Sequence, residues 1–324
     1  MRMASCRWGG VAHAGTVSPC GREVMPLAVP QPERGALWLI QMLARGEPQP
    51  RVTGPRLPLK AMSLCAPLPR PLGSLFCVGR NYRARGAALA ATVFRESLPE
   101  LSSSEAGWPI VFTNFADCVA RPVDAVKMPA RQASMQIDYE SELSVVIGRG
   151  GVDIARSRAT DHVFGCTVVK DVSARDVQAR HQQWSLGKSF DTLCPMGPWI
   201  TAADELDGRS TRVRGWVSGE LRQDGGRHDM NFDMATSIKT CSRGITLHPG
   251  DVIATGAPAG MGMGIGMGMG FTPPRCLQGG RYGADRDRSP RRRREPVSVR
   301  AARPFRSRSL ALGRTAHSAW GAAA

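Results

Sequence analysis

Residues 137–148 read IDYESELSVVIG, and no other stretch of the chain narrows the possible folds as much. Along a strand, side chains alternate between two faces. Ile137, Tyr139, Ser141, Leu143, Val145 and Ile147 then share one face, and Asp138, Glu140 and Glu142 share the other. Asp and Glu are poor strand formers. Two carboxylates about 5 Å apart repel by about 3 kcal/mol at an effective dielectric of roughly 20. The apolar continuation calls for a buried sheet. The acidic start calls for open water or a cation.

The rest of the chain agrees with a sheet. Short β-rich runs alternate with turn signals: WPIVFTNF, VFGCTVVKDV, TRVRGWVSGE and HPGDVIATG. One helix-like segment, RGALWLIQMLARG, lies near the start. The expectation is a mainly β protein with short helices, an α+β chain in three parts. Residues 1–72 form a small N-terminal region, residues 73–277 the main β domain, and residues 278–324 an atypical Arg-rich tail without apolar periodicity, expected to be disordered. A low-complexity run, GMGMGIGMGMG, occupies residues 260–270.

The net charge of +16 suggests nucleic acid, but its distribution argues otherwise. Residues 271–324 carry 13 Arg against 3 acids, which accounts for +10 of the total. A basic tail is more often solvated than bound, so nucleic acid is not an expected partner. Nine scattered cysteines without a CxxC pair point to free thiols in a reducing compartment. No apolar stretch approaches the roughly 20 residues that a bilayer requires, and the first residues lack a signal-like core. A cytoplasmic protein with no membrane partner is expected.

The chemistry gathers around GCTVVKDVSARDVQARHQQW, residues 165–184, a strand followed by a helix start. Asp171 ends the strand, and Ser173 is placed to cap the helix. Arg175, Gln178 and Gln182 are spaced to share a face with Asp171. A carboxylate at a strand end with Arg and Gln beyond it furnishes a substrate cleft. The plainer alternative is a surface ion pair worth a few tenths of a kcal/mol. Glu140, Glu142 and Asp171 together, without a Cys or His partner, make an all-oxygen set. Such a set suits Mg²⁺, Mn²⁺ or Ca²⁺ better than zinc.

Four segments, IDYESELSVVIGRGG, TVVKDVSARDVQ, QWSLGKSFDTLCPMGPWI and LHPGDVIATGAPAG, resemble the fumarylacetoacetate hydrolase family. They are most similar to its bacterial hydroxyheptadienedioate isomerase and ureidoglycolate lyase-like branch. The resemblance runs in order from about Leu59 to Leu277. It implies a mixed β-sandwich roll and a homodimer holding one divalent cation, Mg²⁺ or else Mn²⁺ or Ca²⁺. The implied substrates are small 2-oxo or β-diketo acids, which are cleaved, decarboxylated or tautomerised. By position it implies Glu140, Glu142 and Asp171 as metal ligands and Lys188 as a catalytic residue. Arg175, Gln178 and Thr255 would bind substrate. Asp138 is left either supporting the site or solvated.

The sequence departs from the family in three places. Where the family reads N-Y-x-x-H-x-x-E, this chain reads NYRARGAA, so Arg85 replaces the His and Ala88 replaces the Glu. Arg cannot act as a base near neutral pH. The alternative to an active enzyme is therefore a catalytically impaired family member or a damaged gene product. Asn114 stands where the family commonly has Lys. Beyond FTPP the family's closing strands give way to the Arg-rich tail. His181 follows the Gln178 turn and is expected on the helix surface.

Overall fold

The computed structural model describes residues 1–83, 107–181, 183–206, 211–260, 268, 271 and 273–277. Arg85, Ala88, Gln182 and the 278–324 tail, on which the sequence carried expectations, lie outside the described residues.

The chain is mainly β. Near its start come β1 (Arg2–Trp8), β2 (Val11–Val17), β3 (Glu23–Pro26), the helix α1 (Leu37–Ala44), β4 (Leu57–Pro58) and β5 (Ser63–Cys65). Then follow β6 (Leu75–Gly79), β7 (Ile110–Asn114), β8 (Val119–Ala120), β9 (Ile137–Asp138), β10 (Ser141–Ile147), β11 (Val163–Lys170) and β12 (Ser173–Ala174). Two short helices, α2 (Arg175–His181) and α3 (Ser185–Lys188), lead into β13 (Cys194–Pro195) and β14 (Ile200–Ala202). The hairpin β15 (Arg212–Val217) and β16 (Glu220–Gly226), the helix α4 (Met234–Cys241) and β17 (Val252–Ala254) complete the described elements.

Among the described residues, one mixed sheet of 11 strands organises the fold, in the order β4-β3-β2-β1-β14-β11-β10-β17-β6-β7, with β5 beside β1. β17 runs parallel to β6, while β10 is antiparallel to both β11 and β17. The N-terminal strands join the rest where β1 pairs with β14, Met3 opposite Ile200.

β10 sits deep in this sheet, and every one of its residues is buried. Burial on both faces is why SELSVVI carries no polar alternation after Ser144. Val146 packs into one core with Leu37 and Ile40 of α1, Leu75, Val169 and Ile200. Leu143, Val145 and Ile147 face a second core with Cys166, Ile238, Leu247 and Ile253. Burying a side chain of this size contributes about 1.5–3 kcal/mol.

The single strand read across residues 137–147 is in fact two. β9 pairs with β12, Asp138 opposite Ser173, whereas β10 pairs with β11 from Ser141 opposite Lys170. Tyr139 and Glu140 form the break. The chain thus changes partner where the carboxylates begin, and the acidic residues cluster at a strand end, not along a flat face. Ser173 is also not a helix cap: it lies in β12, and its hydroxyl donates to the Asp171 carbonyl at 3.2 Å.

Candidate active site

The carboxylates of the site are gathered by two neighbouring strands, β10 and β11. Glu142 is the second residue of β10, Glu140 precedes that strand, and Asp171 follows the last residue of β11. Ligand oxygens of Glu140, Glu142 and Asp171 all lie within 4.8 Å of one another, and the three residues are buried. This is the convergence that the sequence reading expected.

The surrounding side chains hold these carboxylates in place. Lys188, at the end of α3 and 1% exposed, donates from Nζ to Asp171, to Glu140 Oε2 at 3.2 Å and to Ser173 Oγ at 2.9 Å. Arg175, the first residue of α2, donates from Nη2 to Glu140 Oε1 at 2.5 Å and from Nε to Asp138 Oδ2 at 3.0 Å. Its Nη1 reaches Gln178 Oε1 at 2.9 Å. Asp138 is fully buried, so of its two expected settings the structure has the supporting one. Asn114, at the end of β7, donates to Asp171 Oδ1 at 2.7 Å. Where the family's Lys would bring a positive charge, Asn114 brings a neutral donor. The Gly256 N–H donates to Glu142 Oε2 at 2.9 Å.

Thr255 is brought near but turned aside. Its hydroxyl donates to the Leu143 carbonyl at 2.8 Å, and the cleft wall is formed by its neighbours Gly256 and Ala257. His181 is exposed, as expected.

Buried carboxylates stand side by side with cations in the site. Four buried carboxylates, Asp138, Glu140, Glu142 and Asp171, gather with the cations Arg175 and Lys188, and Arg80 lines the same cleft. Burial pushes the Asp171 carboxyl up, and the Glu140 charge adds to this against the pull of Lys188 and Asn114. Burial disfavours the Lys188 ammonium, but Asp171 and Glu140 outweigh it and hold its affinity for the proton above the ordinary lysine value. Asp171 thus holds a proton more readily mainly because it is buried, and Lys188 because Asp171 and Glu140 stand against it. The donor set, all carboxylate oxygen, fits a hard ion.

The cleft is completed by residues that the motifs did not single out. Val78, Arg80, Phe112 and Trp184 line it together with Glu140, Glu142, Arg175, Gln178 and Lys188. Arg80 follows β6 in CVGRNY, and Trp184 precedes α3 in HQQWSLGK; a cation or aromatic at the end of a β-rich run is the faint signal available. A roomier cavity of about 220 Å³ lies at the N-terminal strands, lined by Ser5, Cys6, Arg7, Glu33, Cys65 and Arg121 among others. It has a single carboxylate and no grouping that could hold a metal, so chemistry favours the smaller cleft.

Comparison with known proteins agrees with this geometry. Residues 74–285 match the family described as fumarylacetoacetate (FAA) hydrolase C-terminal. The oxaloacetate tautomerase YisK of Bacillus subtilis (strain 168) is 41% identical over 223 residues, covering 68% of each chain. The fumarylacetoacetate hydrolase of psychrophilic Exiguobacterium antarcticum superposes with a TM-score of 0.69 at 33% identity, covering 86% of this chain and 92% of that one. A 2-hydroxyhepta-2,4-diene-1,7-dioate isomerase from Mycobacterium marinum gives 0.63 at 27%, over 81% and 89%. The maleylpyruvate hydrolase of Sphingobium sp. SYK-6, solved with manganese(II) and pyruvate, gives 0.62 at 28%, over 81% and 90%. No described helix is long and apolar enough to cross a membrane.

Proposed function

The chain belongs to the fumarylacetoacetate hydrolase family, a family of enzymes, and from that premise we propose that it is a divalent-metal-dependent enzyme acting on 2-oxo acids, with keto–enol tautomerisation of oxaloacetate as its principal reaction. The observation that carries this reading is the buried Glu140, Glu142 and Asp171 cluster with Lys188 against it.

Glu140, Glu142 and Asp171 would hold the cation, with Mg²⁺, Mn²⁺ or Ca²⁺ all suited to their oxygens. When bound, such an ion supplies stabilisation for negative charge developing on the oxo-acid oxygens. Lys188 remains an ammonium and adds a second positive charge beside that position, fixed by Glu140, Asp171 and Ser173 so that little reorganisation is needed. Arg175 holds Glu140 and Gln178 in register at the wall where the substrate carboxylate would lie. Phe112 and Trp184 give the cleft an apolar wall. Tautomerisation needs no attacking water. Hydrolysis does, and Arg85 and Ala88 stand where the family's water-activating pair would be. Chemistry through an enol is therefore favoured over C–C hydrolysis. The working unit in this reading is a homodimer.

The test follows the enol form of oxaloacetate by ultraviolet absorbance as it converts to the keto form, with Mg²⁺ or Mn²⁺ titrated in. Acceleration that depends on metal and disappears in Asp171→Asn supports the reading. A metal-loaded protein that leaves the spontaneous rate unchanged overturns it.

A further inference from the structure

The cavity of about 220 Å³ at the N-terminal strands shares no residue with the acidic cleft. It is smaller than the roughly 300–1,000 Å³ of sites for drug-sized ligands, so it suits a small molecule. Its walls come from distant parts of the chain. β1 gives Ser5 and Arg7, β5 gives Cys65, and β8 with the residue after it gives Val119, Ala120 and Arg121. A short 3-10 turn, Pro32–Arg34, adds Glu33.

Strand pairing and close packing bring these groups together. Ser5 lies opposite Cys65 and Arg7 opposite Ser63, so Ser5, Arg7 and Cys65 share one face of the β1–β5 ladder. The turn that carries Glu33 is held against that ladder. The Ala36 N–H donates to the Pro67 carbonyl at 2.8 Å, and the Ser5 hydroxyl donates to the same carbonyl at 3.3 Å. Gly35 has φ of 66°, and a Cβ there would lie 2.3 Å from the Pro67 carbonyl oxygen and 2.6 Å from Ser5 Oγ. Only glycine closes the turn this tightly.

The charges of the lining are two guanidiniums and one carboxylate. Arg7 donates from Nη1 to the Gly10 carbonyl at 3.1 Å, and Arg121 donates from Nε to the two oxygens of Asp124 at 3.0 and 2.8 Å. A guanidinium has five N–H groups, more than these bonds use. Burial pushes the Cys65 thiol up, and Arg121 and Arg7 both pull against it, so the two guanidiniums converge on one part of the wall. The Glu33 carboxylate makes no hydrogen bond or ion pair among the described residues. Between the charges the surface is apolar, with Pro32, Ala66, Val119 and Ala120.

A ligand that answers every part of this lining carries a carboxylate for Arg7 and Arg121, an ammonium for Glu33 and a short aliphatic body for the walls. The guanidinium fork matches a carboxylate through parallel hydrogen bonds. We propose that the cavity is a binding site for a small aliphatic α-amino acid. The assignment concerns a site separate from the acidic cleft and stands apart from the oxo-acid reading.

The experiment titrates the full-length protein by calorimetry with three probes of one carbon skeleton: L-valine, 3-methylbutanoate, which lacks the ammonium, and 2-methylpropan-1-amine, which lacks the carboxylate. L-valine should bind about 10- to 100-fold more tightly than either, the range for one charge-assisted hydrogen bond. Glu33→Gln should weaken L-valine by a similar factor and leave 3-methylbutanoate no weaker. Arg7→Gln should weaken both carboxylates, and Arg7→Lys should recover part of the loss, since it keeps the charge without the fork. Arg7 and Glu33 are exposed, so melting temperatures should stay unchanged in all three variants. Saturating L-valine should also slow alkylation of Cys65, followed peptide by peptide in the mass spectrometer. No binding of L-valine at millimolar concentration, equal binding of L-valine and 3-methylbutanoate, or L-valine affinity unmoved by Glu33→Gln would overturn the assignment. So would L-valine binding that leaves Cys65 unprotected, which would place the ligand elsewhere.

Discussion

The Gly268 N–H donates to Asp138 Oδ1 at 2.8 Å, and the other oxygen of Asp138 accepts from Arg175 Nε at 3.0 Å. Arg175 in turn holds Glu140. The end of the Met-Gly run is thereby tied, through the buried Asp138 and the half-buried Arg175, to a proposed metal ligand. Gly268 also has no room for a side chain: a Cβ would lie 2.4 Å from the Arg275 carbonyl oxygen and 2.9 Å from Asp138 Oδ1.

Gly268→Ala should therefore disturb more than its own position. Overpacking of this kind costs about 1–3 kcal/mol, and supporting groups around a metal are worth roughly 10–100-fold in affinity. Calorimetric titration with Mn²⁺ should show weakened binding in Gly268→Ala and in Asp138→Asn. Unchanged Mn²⁺ affinity in both would remove Asp138 from the metal site's support.

Glu142→Gln and Lys188→Met should move metal-free stability in opposite directions. Glu142→Gln removes one charge from a cluster of four neighbouring buried carboxylates that repel one another, and the amide oxygen can still accept from Gly256. Its melting temperature without metal should rise, and the stabilisation that Mn²⁺ gives the natural protein should shrink. Lys188→Met leaves Asp171 and Glu140 without their ammonium. Breaking a buried pair in this way costs about 3–5 kcal/mol. Thermal melts with and without excess Mn²⁺ check both signs. A fall in both variants would contradict the charge argument.

Asp233 provides a test of pH dependence away from the cleft. It caps α4: Oδ1 accepts from the Thr236 N–H at 2.7 Å, and Oδ2 accepts from Arg156 Nη2 at 2.7 Å. Burial pushes its carboxyl up, but the Thr236 and Arg156 bonds outweigh this, and the native value falls below the usual 3.8. A depressed carboxylate stabilises the fold above its unfolded value and ceases to do so as pH falls through the native one. Asp233→Ala should cost about 1 kcal/mol at neutral pH, as for other helix caps. The gap from the natural protein should close as pH falls from 3.8 through the native value. A pH-independent gap in urea titrations would show that the carboxylate charge contributes nothing.

The replaced lid pair predicts weak hydrolysis. Arg85→His with Ala88→Glu should raise cleavage of an acylpyruvate, by up to the 10²–10⁴-fold that general base catalysis typically contributes. Arg85→His alone should recover less, because the imidazole lacks an orienting carboxylate. Mn²⁺ affinity should stay the same in both. If the natural protein already hydrolyses acylpyruvates at about 10 per second, another base is at work, and His181→Ala is the first variant to assay.

The amino-acid order alone determined the mainly β character of this chain, the burial of SELSVVI and the all-oxygen nature of its candidate site. These are local facts: an apolar run too short for a membrane helix, turn residues between such runs, and carboxylates without sulfur or imidazole nearby. It also determined where the chain parts from its family, at Arg85, Ala88 and Asn114. Other features were decided only by the tertiary structure. Residues 137–147 form two strands because β9 finds β12 while β10 finds β11 and β17, and pairings between distant segments leave no trace in local periodicity. Ser173 gave up its capping position to lie beside Lys188, and the hydroxyl of Thr255 turned to the Leu143 backbone. Arg80, Phe112 and Trp184 share a wall although they lie more than 100 residues apart in sequence from end to end. A buried cleft takes its walls from whichever side chains the packed sheet brings together, and that choice is made by long-range packing in which every polar group must find a partner.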